Sequence, residues 1–187
     1  PSAHSSETLR RLVLVNSVLG VTIAGISTRV FMISVPTLAT ALHTDMLGIS
    51  WALIVYQMAG IGLGVICGRL GDIHGHHKTY GAGMWVMALA SLLCGFSQNI
   101  WQLILFRFLQ GVSAGLILSC APALVTGLYP EARRSHALGV FTLMFALGSA
   151  LGPLIGGVLV ARWGWPAVFW FRAPIALTSL VFLRGLP

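Results

Sequence analysis

No charged side chain stands between Lys78 and Arg107, and none between Ala137 and Ala161; from Leu12 to Leu42 only Arg29 interrupts an apolar run. Runs of this kind leave no material for a solvated surface. A soluble domain usually carries about 25% charged residues, whereas here 57% of the 187 residues are hydrophobic and 8% are charged. A helix crossing the hydrocarbon layer needs about 20 mostly apolar residues, and it closes its own backbone hydrogen bonds where no water can. The chain is therefore expected to be an all-α membrane protein.

Lys and Arg number 11 against 4 acidic residues, a net charge of +7. In a soluble chain that excess would suggest nucleic acid as a partner. Here the basic residues are scattered between apolar runs, so they orient helices instead, and no nucleic-acid partner is expected. Cys67, Cys94 and Cys120 show no CxxC spacing, which points to core residues rather than a disulfide framework or metal site. No cofactor is expected. With no nucleophile beside a base, no phosphate-binding loop and no paired carboxylates, the chain does not read as an enzyme.

A tail, residues 1–11, precedes a six-helix bundle, residues 12–187. The first ten residues, PSAHSSETLR, are too polar to begin a cleavable signal. The spans fall at Leu12–Leu42, Ile49–Cys67, Thr79–Phe96, Ile100–Leu128, Ala137–Ala161 and Pro166–Leu183. Arg10, Arg11, Arg69, Lys78, Arg133, Arg134 and Arg184 gather on one side of this topology and only Arg162 on the other. The positive-inside rule then puts both termini in the cytoplasm of a multi-pass plasma (inner) membrane protein. Trp51, Trp101, Trp163 and Trp165 fall at the outer ends, where an aromatic belt belongs. Gly60, Gly64 and Gly68 in the second span echo Gly148, Gly152 and Gly156 in the fifth. Each triplet makes a smooth helical face, and the echo suggests two three-helix inverted repeats, an arrangement used by transporters. Static packing explains such faces equally well. The chain opens on Pro1 and ends amid apolar residues, so one half of a longer protein is expected.

The polar island between the second and third spans, GRLGDIHGHHK from Gly68 to Lys78, resembles the signature loop of the major facilitator superfamily, with Gly68, Arg69, Gly71, Asp72, Gly75 and Lys78 at its characteristic positions. LILFRFLQGVSAG, Leu103 to Gly115, is similar to the fourth-helix motif of that family and carries Arg107, Gln110 and Gly111. GSALGPLIGG, with Gly148, Gly152, Pro153, Gly156 and Gly157, looks like the fifth-helix motif of its drug:proton antiporter branches. The region around Pro36 and the stretch FWFRAPIAL resemble the fourteen-helix exporters. The match covers essentially the whole chain as an N-terminal six-helix half. It implies a proton-coupled efflux transporter of small molecules, with protons, the lipid bilayer and a second six-helix half as partners. A metabolite symporter, or a non-transporting half-bundle acting through a partner, remains open.

Four departures from the family pattern stand out, one of them Arg29, which stands where a small polar residue is expected. Ser27 occupies the place of the usual first-helix carboxylate, Arg172 stands where Asn is common, and His74, His76 and His77 replace Arg or Lys in the island. An arginine at membrane depth should face a bundle interior or a water-filled cavity. Arg107 lies about 10 Å from the outer end of its span and Arg172 about 9 Å, with Arg29 between mid-membrane and the outer leaflet. The expectation is that the three converge in a cavity favouring anionic or zwitterionic solutes; the alternative for Arg29 is snorkelling to headgroups. The resemblance implies proton relay for Arg107 and a cytoplasmic latch for Asp72, pairing across the membrane face. Capping of a helix end is the simpler role for Asp72. The histidines read as a solvated turn rather than a metal site, with near-neutral titration that could alter the loop's charge. Ser91 and Ser119 read as interhelical hydrogen-bonding residues.

Overall fold

The computed structural model describes residues 3–184, with side chains described from Val13 to Ser179 apart from Thr28 and Leu128. Every regular element among the described residues is helical. They are α1 (Ala3–Ala41), α2 (Met46–Gly62), α3 (Gly64–His74), α4 (His76–Gly95), α5 (Ile100–Leu128), α6 (Glu131–Trp163), α7 (Ala167–Trp170) and α8 (Arg172–Arg184).

By length and apolarity, Val13–Ala41, Ile100–Gly127 and Glu131–Trp163 are each able to cross a membrane, and α2 with α3 forms a fourth, bent span. α4 falls short because it opens on the polar run His76 to Tyr80, and the last stretch is split at Phe171. The helices also run past the expected boundaries. α1 begins at Ala3, inside the expected tail. α6 begins at Glu131, so the expected loop Tyr129–His136 shrinks to its first two residues. A helix need not end where the hydrocarbon does, and the acidic Glu131 in the first turn with Arg162 in the last suits the helix dipole. The side chains of Arg10, Arg11 and Arg184 lie outside the described ones.

The second span is broken rather than straight. α2 and α3 meet at Leu63 at an angle of 44°, and the Ser119 hydroxyl of α5 donates to the Gly64 carbonyl just beyond the joint at 2.9 Å. A carbonyl loosened by a kink thus finds a partner inside the protein, as the absence of water in the bilayer demands.

Helices are assembled by close approach of small residues. Along α1 and α6, a Cβ added at Gly148 would lie 2.7 Å from the Thr22 carbonyl oxygen, and one at Gly156 would lie 2.9 Å from Val30. Along α2 and α5, a Cβ at Gly111 would collide with the Tyr56 carbonyl oxygen, and one at Gly115 would come within 3.0 Å of that of Gly60. The fifth-span triplet is therefore a packing face throughout its length. In the second span only Gly60 makes a comparably tight approach, 3.3 Å to the Gly111 carbonyl oxygen; Gly64 and Gly68 have ordinary clearance. α4 lies between α5 and α8, and its Tyr80, Met84 and Met87 enter a core with Ile23, Ile117 and Ala176.

Candidate functional site

Asn99 starts α5 by accepting a hydrogen bond from the Gln102 backbone N–H at 2.9 Å, and two turns later the helix turns Arg107 inward. Gln110, three residues on, shares that face. Arg107 is fully buried. Its Nη1 donates to Gln110 Oε1 at 3.0 Å, and Gln110 Nε2 donates to Ser91 Oγ of α4 at 2.9 Å. The guanidinium carbon lies 4.0 Å from the Phe31 ring centre and 4.4 Å from that of Tyr56. Gly111 makes the second contact possible, because any side chain there would force away the α2 backbone that carries Tyr56. Arg107 is thus held by α1, α2 and its own helix, and reaches α4 through Gln110.

Arg172 opens α8 just after the Phe171 break and is also fully buried. Its Nε and Nη2 both donate to the Val168 carbonyl, at 3.0 and 2.9 Å. Its guanidinium lies 5.1 Å from the Phe169 ring centre and 5.9 Å from that of Phe171. The Phe169 ring meets Phe31 edge-on with 6.2 Å between centres. Phe31, Phe169 and Cys94 belong to one buried apolar cluster, so both arginines border it.

Arg29 does not join them, against the expected convergence. Two residues from Phe31, it is rotated by about 200° around α1, and so points away from the side on which Phe31 meets Arg107. It is exposed, in an open pocket with Phe145, Ala146, Ser149, Ala150 and Pro153 of α6. Ser27, in the place of the usual carboxylate, is fully buried and donates to the Ile23 carbonyl of its own helix at 2.7 Å.

The island Gly68–Lys78 is mostly helix. α3 continues to His74, α4 begins at His76, and the turn is the single residue Gly75 with φ +92°. That conformation suits glycine alone. Nothing lies within 4 Å of where its Cβ would be, so the constraint is purely in the backbone. Gly71 is required for another reason, since a Cβ there would press on His76 Nδ1 at 2.5 Å and Cys120 Sγ at 2.9 Å. Asp72 is exposed and faces His76, one turn on, with 3.3 Å between Oδ1 and Nε2. Arg69, His74 and Lys78 are exposed, whereas His76 and His77 are half-buried. No group of three or more metal-ligating side chains occurs among the described residues. Gly157 has open space around it.

Trp51, Trp101 and Trp163 are exposed, and Trp165 packs edge-on against Phe169. Sequence reasoning missed one buried polar cluster: the Tyr80 hydroxyl donates to the Asn16 carbonyl at 2.7 Å, and Ser179 Oγ donates to Asn16 Oδ1. The signal was available, because Asn16 is an isolated amide in an apolar run. Phe31 and Tyr56 carried no comparable signal, since an aromatic residue in an apolar helix looks like any other core residue.

A family model described as Major Facilitator Superfamily matches residues 17–187. The chain is similar to the riboflavin transporter RibZ of Clostridioides difficile, with 28% identity over 92% of this chain and 38% of that protein. It is 33% identical to the multidrug transporter protein MdtP of Bacillus subtilis over 73% of this chain and 26% of the relative. With the tetracenomycin C resistance and export protein of Streptomyces glaucescens the identity is 30% over 87% and 30%. It therefore spans well under half the length of these relatives. The fold matches that of the proton:xylose symporter XylE, with a TM-score of 0.86 at 14% identity over 97% of this chain and 46% of that one. A bacterial homologue of the human lysosomal transporter Spinster gives a TM-score of 0.84 at 18% identity, over 96% and 43%. These are transporters, not enzymes, and multi-pass integral membrane proteins.

Proposed function

Because this chain belongs to the Major Facilitator Superfamily, we propose that it is one six-helix half of a proton-coupled exporter of small molecules. The observation that carries the proposal is Arg29. It lies about 18 Å along α1 from Ala41, near mid-membrane on a hydrocarbon core about 30 Å thick, yet it is exposed. Lipid is a poor neighbour for a guanidinium at that depth. The face formed by α1 and α6 therefore borders a water-filled pathway closed on its far side by a second half, in this protein or another copy.

The pairing of helices supports the same reading. α1 lies along α6, and the bent α2–α3 span lies along α5. Exchanging two three-helix sets, first span for fourth and second for fifth, converts one pair into the other, as an inverted repeat requires. Both termini then face the cytoplasm of the plasma membrane. Arg107, Gln110 and Ser91 form the coupling element, buried behind the solute-facing surface, and Asp72 and His76 sit at the cytoplasmic latch. Asp72 and Glu131 lie at the ends of their helices, and the stretches 12–42, 49–67, 79–96, 100–128, 137–161 and 166–183 contain no carboxylate, so on this reading a titrating acid comes from outside this half. Arg29 on the pathway favours anionic and zwitterionic solutes.

The test is export from proteoliposomes of matched anionic and cationic aromatic dyes under an imposed pH gradient. Gradient-dependent movement of the anionic dye, lost in Arg29→Ala, is the expected result. Preference for the cation with Arg29→Ala harmless would remove the solute assignment, and gradient-independent behaviour of both dyes would remove the exporter reading.

A further inference from the structure

Arg107 and Arg172 are each fully buried and neither meets an acid among the described residues. Arg107 Nε and Nη2 and Arg172 Nη1 are buried and have no hydrogen-bond partner among the described residues. Buried N–H donors of a cation are ordinarily satisfied, because desolvation without a partner is costly. Stacking on Phe31, Tyr56 and Phe169 supports the guanidinium faces. It leaves the edges, where the N–H groups point, unserved.

No carboxylate among the described side chains reaches them. Its four acids are Glu7, Asp45, Asp72 and Glu131. Asp45 is exposed and accepts from the Gly48 backbone N–H at 2.8 Å; it lines a surface groove with Ile100, and Ile100 lies about 10 Å along α5 from Arg107. Asp72 faces His76, and Glu131 is exposed in the first turn of α6. Glu7 is near the start of α1, roughly 36 Å along the helix from Phe31. Two cations are therefore set against one buried apolar cluster that contains Phe31, Phe169 and Cys94.

We propose that Arg107 and Arg172 hold a small monovalent inorganic anion, of the size and charge of chloride, sealed inside the six-helix bundle. The unpaired N–H groups supply its hydrogen bonds. The aromatic rings and Cys94 exclude competing water. Weakly hydrated guanidinium suits such an ion better than ammonium would. Full burial of both arginines excludes a solute-sized ligand from this position, so the anion is a fixed part of the bundle that cancels the repulsion between α5 and α8. The site does not depend on the transport reading. It also gives Arg172 a role that an uncharged side chain at the same position could not fill.

The experiment uses the purified protein in lipid nanodiscs exchanged into gluconate. Chloride, bromide and acetate are titrated at constant ionic strength while thermal unfolding is followed, and retention of radiolabelled chloride is measured in parallel. The expected result is a saturable rise in the unfolding midpoint with chloride and bromide, and about one retained chloride per chain. Arg172→Asn should weaken chloride binding tenfold or more, and Arg107→Lys, which keeps the charge but loses the fork, should weaken it as well. A wild-type midpoint indifferent to anion identity, with no retained chloride, overturns the site, and this arm decides the matter even if a variant fails to fold. Stabilisation by acetate without chloride would overturn the inorganic assignment in favour of a carboxylate ligand.

Discussion

The Phe31 ring meets the Phe169 ring at 64° with 6.2 Å between centres, and each ring also carries a buried arginine on its face. Through this pair α1 and α7 connect Arg107 to Arg172, two cations that come from helices far apart in the chain. An aromatic face is electron-rich, so each guanidinium gains from stacking. The edge-to-face geometry lets both rings do this while packing against each other.

Gln110 is the one side-chain hydrogen-bond acceptor that Arg107 meets among the described residues. Gln110→Leu keeps the volume approximately and removes that acceptor, while stranding Ser91 as well. The expected cost is about 2 kcal/mol of stability, read as a lowered unfolding midpoint in detergent. Ser91→Ala, which leaves the arginine bonded, should cost less than half as much. Equal effects from the two would show that the Arg107 contact contributes little.

Gly111 lets α2 approach α5 closely enough to bring Tyr56 over Arg107. Gly111→Ala puts a methyl group against backbone and should destabilise by about 1–3 kcal/mol, with reduced transport because the Tyr56 contact is displaced. Gly157→Ala faces open space and serves as the control. Parallel thermal melts of the two variants decide the matter; indistinguishable curves would count against the close approach.

Gly75 is the whole of the turn between α3 and α4. Gly75→Ala meets no atom, so its penalty comes from backbone conformation alone, about 1–3 kcal/mol. Gly75→Asn should do no better, since the tolerance of Asn for positive φ belongs to the left-handed helical region, and Gly75 lies outside it with ψ +129°. Recovery of stability by Asn would argue that the turn changes conformation on substitution.

Asp72 is exposed, and its contact with His76 is a surface one, worth about 0–1 kcal/mol. Asp72→Asn should therefore leave the melting midpoint almost unchanged while lowering the rate of dye export. The two measurements separate a latch from a structural cap: a large loss of stability with normal export would assign the residue to folding.

Arg29 offers a direct probe of the α1 and α6 face. Arg29→Cys should react with a water-soluble maleimide in the open protein, whereas Cys67, Cys94 and Cys120 are buried and should react slowly. Labelling should fall when a solute occupies the pathway. Labelling that requires a lipid-soluble reagent would show that Arg29 faces the bilayer.

Much of the architecture was legible because membrane insertion makes strong local demands. Charge-free runs marked the helices, Arg107 and Arg172 but not Arg29 marked the interior, and glycines at every fourth position in the fifth span marked a helix contact. The island misled as to local structure: its glycines and charges suggested a loop, but helix continues through all of it except Gly75. Charged residues beyond the hydrocarbon are compatible with helix, so polarity located the membrane edge there and not the helix end. The second-span glycines were also read too uniformly, because spacing shows which residues share a face and not how closely a neighbour approaches it.

By itself, the sequence determined that this protein lives in a membrane, is built of helices, and keeps arginines at membrane depth without acids beside them. These are properties of composition and of runs along one chain. Only the tertiary structure decided which arginines belong together. Arg29 and Phe31 are two residues apart but face opposite ways, since each residue turns the helix by about 100°. Arg107 and Arg172, sixty-five positions apart in the chain, share one compartment because α1 and α4 bring Phe31 and Cys94 between α5 and α8. Proximity of that kind arises from packing between helices, and no local pattern records it.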